Sequence, residues 1–433
     1  MGISPARKAA FDTLLRIQID KSFSSVLLPI YEEKLSSADR ALCHELVLGV
    51  LRRQMLLDRF ADLFTKGRKL DLEVRLALWL GLFQILYLAR VPHYAVVNDS
   101  VALVVRAKKS SAKGLVNAVL RKVTSETPKL SFDDETERIS VKTSHPRWLI
   151  EKWTAQFGVA RAEKIAAANN QLPKLSFRRT LKATNTLPII KYRQSQFVRD
   201  GFIADSFDAD LKRLAENGEI YFQDEASQMV AAAVDISEGG KFLDVCAAPG
   251  GKTGAIATRF APNNGEPQKR LFVAGDLHPQ RVQFLRENLL KQGIQFINVV
   301  QYNAAHSLPF ASEIFVSVLV DAPCSGTGTI RHNPEIRYFV QPEDFAGLQR
   351  TQLAILTNAS KLLKPGGTLV YLTCSLEREE NESVCEMFLN ERKDFTIVKP
   401  NVPDRFIATD GFAHTFPDRD DMDGFFIAVL RRK

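Results

Sequence analysis

"GGKFLDVCAAPGGK", residues 239–252, is a short apolar run that ends at an acid and gives way to a loop of small residues with a proline in it. The run has the length of a buried strand, and the Pro–Gly–Gly that follows closes it. Gly251, Lys252 and Thr253 form the tail of a phosphate-binding loop, but Cys246 stands where the first glycine of that loop belongs and Pro249 stiffens its middle. A triphosphate cradle needs that first turn, so nucleotide hydrolysis is set aside. The stretch is no GxGxxG fingerprint either.

What remains is a tight strand-to-helix loop, followed by "RLFVAGDLHPQRVQFLRENLLKQG", a second strand ending at Asp276 and leading into a helix. A carboxylate at that place can accept both hydroxyls of a ribose. Small loop residues let a ligand approach the backbone closely. An adenosine cofactor without a pyrophosphate fits, and S-adenosylmethionine is the common one.

Working outward, "FVSVLVDAPC" and "GTLVYLTCS" are further strands, separated by a helix around "EDFAGLQRTQLAILTNASKLL". Strands alternating with helices at this spacing predict a parallel, doubly wound sheet from residue 206 onward, with ligands at the carboxyl ends of its strands. The amino-terminal part reads differently. "SSADRALCHELVLGVLRRQMLLDRFADLF" opens with the cap residues Ser36 and Ser37 and spaces Leu42, Leu46 and Val50 four apart, which predicts one long amphipathic helix. Val74 to Leu88 is an apolar run of fifteen residues carrying Arg75 and Gln84. A membrane span needs about 20, so a helix buried in a bundle is expected. Past Pro92, the residues Arg106, Lys108, Lys109, Lys113, Arg121 and Lys122 occur with no acid after Asp99, giving the bundle a basic edge suited to phosphates.

Between these halves, "SETPKLSFDDETE" reads as a linker. "HPRWLIEKWTAQFG" and "RAEKIAAANN" read as helices and "KLSFRRT" as a strand, which makes a small α+β module with Trp148 and Trp153 in its core. The expected domains are therefore 1–127, helical; 128–205, a small α+β module; and 206–433, α/β.

Charge follows the same division. Residues 1–125 hold 20 Lys+Arg against 11 Asp+Glu, residues 126–205 hold 14 against 9, and residues 206–433 hold 24 against 30. The excess positive charge lies wholly in the first half, as expected where that half grips a polyanion and the second does something else. Five cysteines, an odd number, with no signal peptide at "MGISPARKAA", point to a reducing, cytoplasmic setting.

Two of those cysteines, Cys324 in "DAPCSGTG" and Cys374 in "YLTCS", stand at strand carboxyl ends beside the cofactor loop; Cys43, Cys246 and Cys385 read as small core residues. A thiolate forms most readily at a helix amino-terminus or near a cation. Ser375 is expected to cap the helix in "EREENESVCEMFL", which would place Cys374 at the positive end of its dipole. Carbon 5 of a pyrimidine accepts a methyl group only once a thiolate adds to carbon 6, after which a second group can help release the adduct. Asp321 is placed to hold the ring N3 and exocyclic amine of cytosine, or, more simply, to cap the turn that follows it.

The residues quoted carry two resemblances. "DRALCHELVLGVLRR", "PHYAVVNDSVALV" and "KGLVNAVLRK" resemble the NusB family of RNA-binding bundles over almost all of residues 5–124. "DAPCSGTG", "YLTCS", "CAAPGGKT", "FQDEASQ" and "DGFFIAVL" resemble the RsmB/Fmu/Sun family of 16S ribosomal RNA (cytosine-5) methyltransferases, whose fold is a Rossmann-like α/β domain. The second resemblance implies S-adenosylmethionine as cofactor and 16S ribosomal RNA as partner, with no metal, DNA or membrane, in a monomer. It implies Cys374 as nucleophile and Cys324 in product release, an assignment that is reversed in DNA cytosine-5 methyltransferases. It implies cofactor contacts at Cys246, Ala247, Ala248, Pro249, Gly250, Gly251, Lys252, Asp276, Asn303 and Asp321. Asn303 departs from the pattern, where an acid is usual; an amide can still bond the adenine edge but brings no charge. In "IRHNPEIR", Arg331 and His332 stand where two arginines are usual, and His332 is expected as a loop residue near RNA. Transfer RNA as substrate, or a non-catalytic RNA-binding factor, are the other readings.

Overall fold

The computed structural model describes residues 2–125, 129–183, 191–237, 239–261 and 268–433. They form two compact units, Met1–Gln171 with Ile330–Val340, and Leu172–Thr329 with Gln341–Lys433.

The first unit is helical: α1 (Pro5–Asp20), α2 (Ser24–Glu32), α3 (Ser37–Thr65), α4 (Leu72–Tyr87), α5 (His93–Arg106), α6 (Lys113–Ser125), α7 (Glu135–Thr143), α8 (Arg147–Phe157) and α9 (Val159–Ala168). The long helix begins as expected, with the Ser36 side chain accepting from the Asp39 N–H, and bends at Arg53, whose φ of −126° leaves the helical range. In α4, Leu76, Leu78, Leu80 and Leu82 are wholly buried. Each such side chain stabilises the bundle by about 1.5–3 kcal/mol. Arg75 and Gln84, the polar residues of the apolar run, are both matched: Gln84 accepts from Arg7 Nε at 2.6 Å in the interior, and Arg75 pairs with Asp58 nearer the surface. No helix among the described residues is long and apolar enough to cross a membrane.

The linker is shorter than expected. Helix α7 starts inside it, because Asp134 accepts the Glu137 N–H at 2.8 Å and so caps a helix at Glu135; residues 126–128 lie outside the described residues. Trp153 is fully buried as expected, and Trp148 is half-buried.

Segment Ile330–Val340 belongs to this unit, although the chain on both sides of it belongs to the other. Arg337 is fully buried and donates to the carbonyls of Pro334 and Thr143 and to the side-chain oxygen of Asn170. The Glu335 carboxylate accepts the Ser24 N–H at 2.6 Å, and the Tyr338 hydroxyl donates to the Leu51 carbonyl at 2.8 Å. Buried polar groups are tolerated where they are hydrogen-bonded in this way.

The second unit opens with a four-stranded antiparallel sheet in the order β2-β3-β1-β4, made of β1 (Leu175–Arg179), β2 (Tyr192–Gln194), β3 (Gly201–Ala204) and β4 (Ile220–Phe222), with α10 (Ala209–Asn217) between β3 and β4. β4 pairs with β1 through Phe177↔Phe222, so this sheet continues past residue 205.

The larger sheet is built on β5 (Lys241–Asp244), β6 (Leu271–Asp276), β7 (Ile297–Gln301), β8 (Phe315–Asp321) and β9 (Leu363–Thr373), all parallel. Helices α11 (Glu225–Ala233), α12 (Gly251–Arg259), α13 (Pro279–Lys291), α14 (Asp344–Ser360) and α15 (Glu382–Glu391) accompany it. Beyond β9 the parallel pattern ends. β10 (Phe395–Val398), β11 (Ala413–His414) and β12 (Phe426–Arg432) close the sheet, with β12 antiparallel to β9 and giving the order β10-β12-β9-β8-β5-β6-β7. The order reverses at β5, which has β6 on one side and β8 on the other. The crevice at the carboxyl ends of strands beside such a switch point is where α/β sheets bind ligands.

Candidate active site

A cavity of about 420 Å³ opens at that switch point. Its size falls within the range of small-molecule sites, about 300–1,000 Å³. Its wall contains Cys246 and Ala248 from the loop after β5, Lys252 from the first turn of α12, Asp276 and Leu277 at the end of β6, Asn303 after β7, Asp321 at the end of β8 with Cys324 beyond it, and Cys374 after β9. Of the ten residues expected at a cofactor, Ala247, Pro249, Gly250 and Gly251 are not in this wall. Gly250 has φ +99°, and a Cβ there would lie 2.8 Å from Leu285, so the glycine serves the turn and its packing on α13. Cys246, read from sequence as core and by resemblance as a cofactor contact, packs against the core and also lines the cavity, while Cys43 and Cys385 are fully buried.

Asp276 is held for work. One carboxylate oxygen accepts the Ala248 N–H at 3.1 Å; the other accepts the Leu277 N–H at 2.8 Å and pairs with Arg281 at 3.1 Å. These contacts tie the acid to the β5 loop while leaving it in the cavity wall. The Asn303 side-chain oxygen accepts the Ala305 N–H at 3.0 Å, so the group it can turn to a base edge is its NH₂.

Asp244, at the end of β5, was not singled out in the sequence; only its place one strand-end before the loop could have marked it. It is almost fully buried and accepts the Thr253 hydroxyl at 2.6 Å. Burial pushes its carboxyl up to about 7, against the pull of that hydrogen bond and with the charge of Asp321 adding to the rise. An unfolded chain releases this proton near 3.9. Between about pH 4 and pH 7 the folded protein therefore binds a proton the unfolded chain has lost, and stability falls as pH rises through that window. Asp244→Asn removes this dependence. Its melting temperature, measured against that of the unaltered protein, gains at least about 3 °C between about pH 5 and pH 8. A difference that stays constant with pH contradicts the assignment.

The two thiols meet. Cys324 Sγ and Cys374 Sγ are 3.3 Å apart. The Cys324 thiol is pushed well up by its hydrogen bond to Cys374, by burial and by the charges of Cys374 and Glu380, so it keeps its proton. Burial, with the charges of Asp244 and Asp321, does the same to Cys246, and burial with Glu32 pushes the Cys43 thiol up to about 12.

Ser375 does not cap a helix. Helix α15 begins at Glu382, after Asn381, and Ser375 lies seven residues upstream, where its hydroxyl accepts the Glu377 N–H and donates to Glu380. The positive charge near Cys374 is instead the Lys252 ammonium, which bonds Asp321 at 2.7 Å and stands 5.1 Å from the Phe425 ring centre. Burial pulls this ammonium down, but the charges of Asp321 and Cys374 outweigh it and hold it above its ordinary value. Lys252 was expected only as a cofactor contact.

The "DGFF" motif supports the first thiol loop from behind. A Cβ on Gly328 would lie 2.0 Å from the Gly424 carbonyl oxygen, so both chains need their glycines to pass.

A strand-end crevice with a small-residue loop, an acid at the end of the second strand and an Asp–Lys pair beside two thiols is the site of an S-adenosylmethionine-dependent methyltransferase. The residues fit that cofactor: Asp276 and the Asn303 amide stand along the same wall as Asp321. Residues 231–431 match the 16S rRNA methyltransferase RsmB/F family, residues 4–125 the NusB family, and residues 145–186 the ferredoxin-like domain of RsmF/B-like methyltransferases. The chain is 33% identical to the probable ribosomal RNA small subunit methyltransferase B of Bacillus subtilis, over 99% of this chain and 98% of that one. It belongs to the RsmB/F family of ribosomal RNA methyltransferases. In fold it resembles the crystal structure of PH0851 (TM-score 0.83, 23% identity, 100% of both chains). It also resembles NSun6 from Pyrococcus horikoshii, solved with the S-adenosylmethionine analogue SFG (TM-score 0.55, 21% identity, 66% of this chain and 98% of that one).

Proposed function

We propose that this protein methylates carbon 5 of a cytosine in 16S ribosomal RNA through a covalent adduct with Cys374, and that Cys324 resolves the adduct. The observation that carries this reading is the pair of thiols 3.3 Å apart in the cofactor cavity, with Cys324 keeping its proton.

Cys374 forms a bond to carbon 6 of the cytosine, and the ring gains enamine character at carbon 5. Asp321 accepts from the exocyclic amine of the cytosine, and Lys252 beside it offsets the charge that develops on the ring. When bound, S-adenosylmethionine supplies the electrophilic methyl group. Once carbon 5 is substituted, its proton leaves to a base, the bond to Cys374 breaks, and the sulfur departs as the thiolate it was at the start. Cys324, within hydrogen-bonding reach of that sulfur, stabilises it as it leaves. The target base must leave any stack to reach the thiol.

The helical unit supplies RNA contacts. Of the six basic residues expected along its edge, Arg106 is paired with Asp12 at 2.7 Å and Lys109 with Asp71 at 2.9 Å. Lys108, Lys113, Arg121 and Lys122 are exposed and make no ion pair among the described residues, so they are the ones available to phosphates.

The test is incubation of the protein with tritiated cofactor and unmodified 16S RNA, followed by nucleoside analysis. Label in 5-methylcytidine is the expected result. Label in another nucleoside, or none at all, overturns the reading.

A further inference from the structure

Adjacent residues Glu380 and Asn381 make contacts that the chemistry above does not use. Both lie within the run after the second thiol, and both are buried, Glu380 fully and Asn381 to 2% exposure. A buried carboxylate is costly unless its oxygens are fully bonded.

Those of Glu380 are bonded, and the donors come from both cysteine loops. One oxygen accepts the Ser325 N–H at 2.8 Å and the Gln352 side chain at 3.0 Å. The other accepts the Ser325 hydroxyl at 2.5 Å and the Ser375 hydroxyl at 2.5 Å. Ser325 follows Cys324 and Ser375 follows Cys374, so a single carboxylate holds the residue next to each thiol. Gln352 extends the grip by donating to the Pro323 carbonyl at 3.0 Å, on the other side of Cys324.

Asn381 holds the second loop in the same manner. Its NH₂ donates to the Ser375 carbonyl at 2.9 Å and its oxygen accepts the Thr373 hydroxyl, so it grips the backbone on one side of Cys374 and a side chain on the other. The two loops are also joined directly, by Gly328 N–H to the Cys374 carbonyl at 2.9 Å and Leu376 N–H to the Thr327 hydroxyl at 3.0 Å.

We propose that Glu380 and Asn381 are positioning residues that set the separation of the Cys324 and Cys374 sulfurs. This role in turnover rests on the adduct chemistry proposed above; the spacing itself does not. A carboxylate suits the place because all four of its partners are donors. An amide offers one oxygen where the carboxylate offers two, so Glu380→Gln keeps the shape but forces the Ser325 and Ser375 hydroxyls to turn round from donating to accepting, which breaks the register.

The test uses the full-length protein and phenylarsine oxide, whose arsenic bridges two thiols only when they stand close together. The unaltered protein binds the arsenical, and Cys324→Ala and Cys374→Ala each abolish that binding. Glu380→Gln is expected to weaken arsenical binding at least about ten-fold and to lower kcat on RNA about 100-fold, the scale of a misplaced reacting group. Affinity for S-adenosylhomocysteine is unchanged. Ser375→Ala, a gentler change that removes one of the four donors, moves arsenical binding and kcat in the same direction by less, and carries the test if Glu380→Gln does not fold. Arsenical binding and kcat that stay at the unaltered level in these variants, with only the melting temperature lowered, overturn the proposal. Arsenical binding that weakens as expected in a protein that makes no 5-methylcytidine leaves the spacing role standing and removes the adduct reading instead.

Discussion

Alanine at Cys374 abolishes methyl transfer and leaves no protein–RNA product, whereas alanine at Cys324 accumulates an adduct that survives denaturation. The asymmetry follows from the sulfurs' positions and protonation. The Lys252 ammonium feels the charge of Cys374, while the hydrogen bond to Cys374 and burial raise the Cys324 thiol, so Cys374 is the sulfur proposed to open the reaction. Removing the group that forms the covalent bond costs at least about 10⁴-fold in rate. Removing Cys324 leaves the addition step intact and takes away the group beside the departing sulfur. Denaturing gel electrophoresis with labelled RNA reads both outcomes at once; an adduct in Cys374→Ala and none in Cys324→Ala reverses the assignment.

Asp321→Asn is the second large effect. The carboxylate sits in the cavity wall and is bonded to Lys252 at 2.7 Å. The amide has the same shape but loses the charge that pairs with that ammonium and that balances charge on the ring. Burial then pulls on the Lys252 ammonium with its largest counter-charge gone. A loss of about 10²–10³-fold in kcat is expected, the scale of removing one preorganised electrostatic partner. Because Asp321 also lines the cavity proposed for the cofactor, the measurement is made at saturating S-adenosylmethionine. Recovery of the unaltered rate there would make Asp321 a cofactor residue only.

Much of this was legible from the chain because the decisive signals are local. The strand-to-loop pattern at residues 239–252, the acid at Asp276 and the strands ending at Cys324 and Cys374 each announce themselves within a few residues, and the parallel sheet brings their ends together. What stayed hidden depends on packing between distant segments. Nothing near Lys252 says that its ammonium turns to Asp321, 69 positions away. The Ser375 cap failed because its hydroxyl found Glu380, and the helix start moved to Glu382. Segment Ile330–Val340 reads as a loop of the α/β domain, yet the buried Arg337 bonds place it in the helical unit.

The central claim is that the Cys374 sulfur bonds to the cytosine. The most direct measurement is peptide mapping of the product formed with S-adenosylmethionine and 16S RNA carrying 5-fluorocytosine, in which fluorine at carbon 5 blocks the elimination that would free the protein. The expected result is one RNA-modified peptide, carrying its nucleotide on Cys374. A nucleotide on Cys324, or methylated product with no covalent species at any time, contradicts the account.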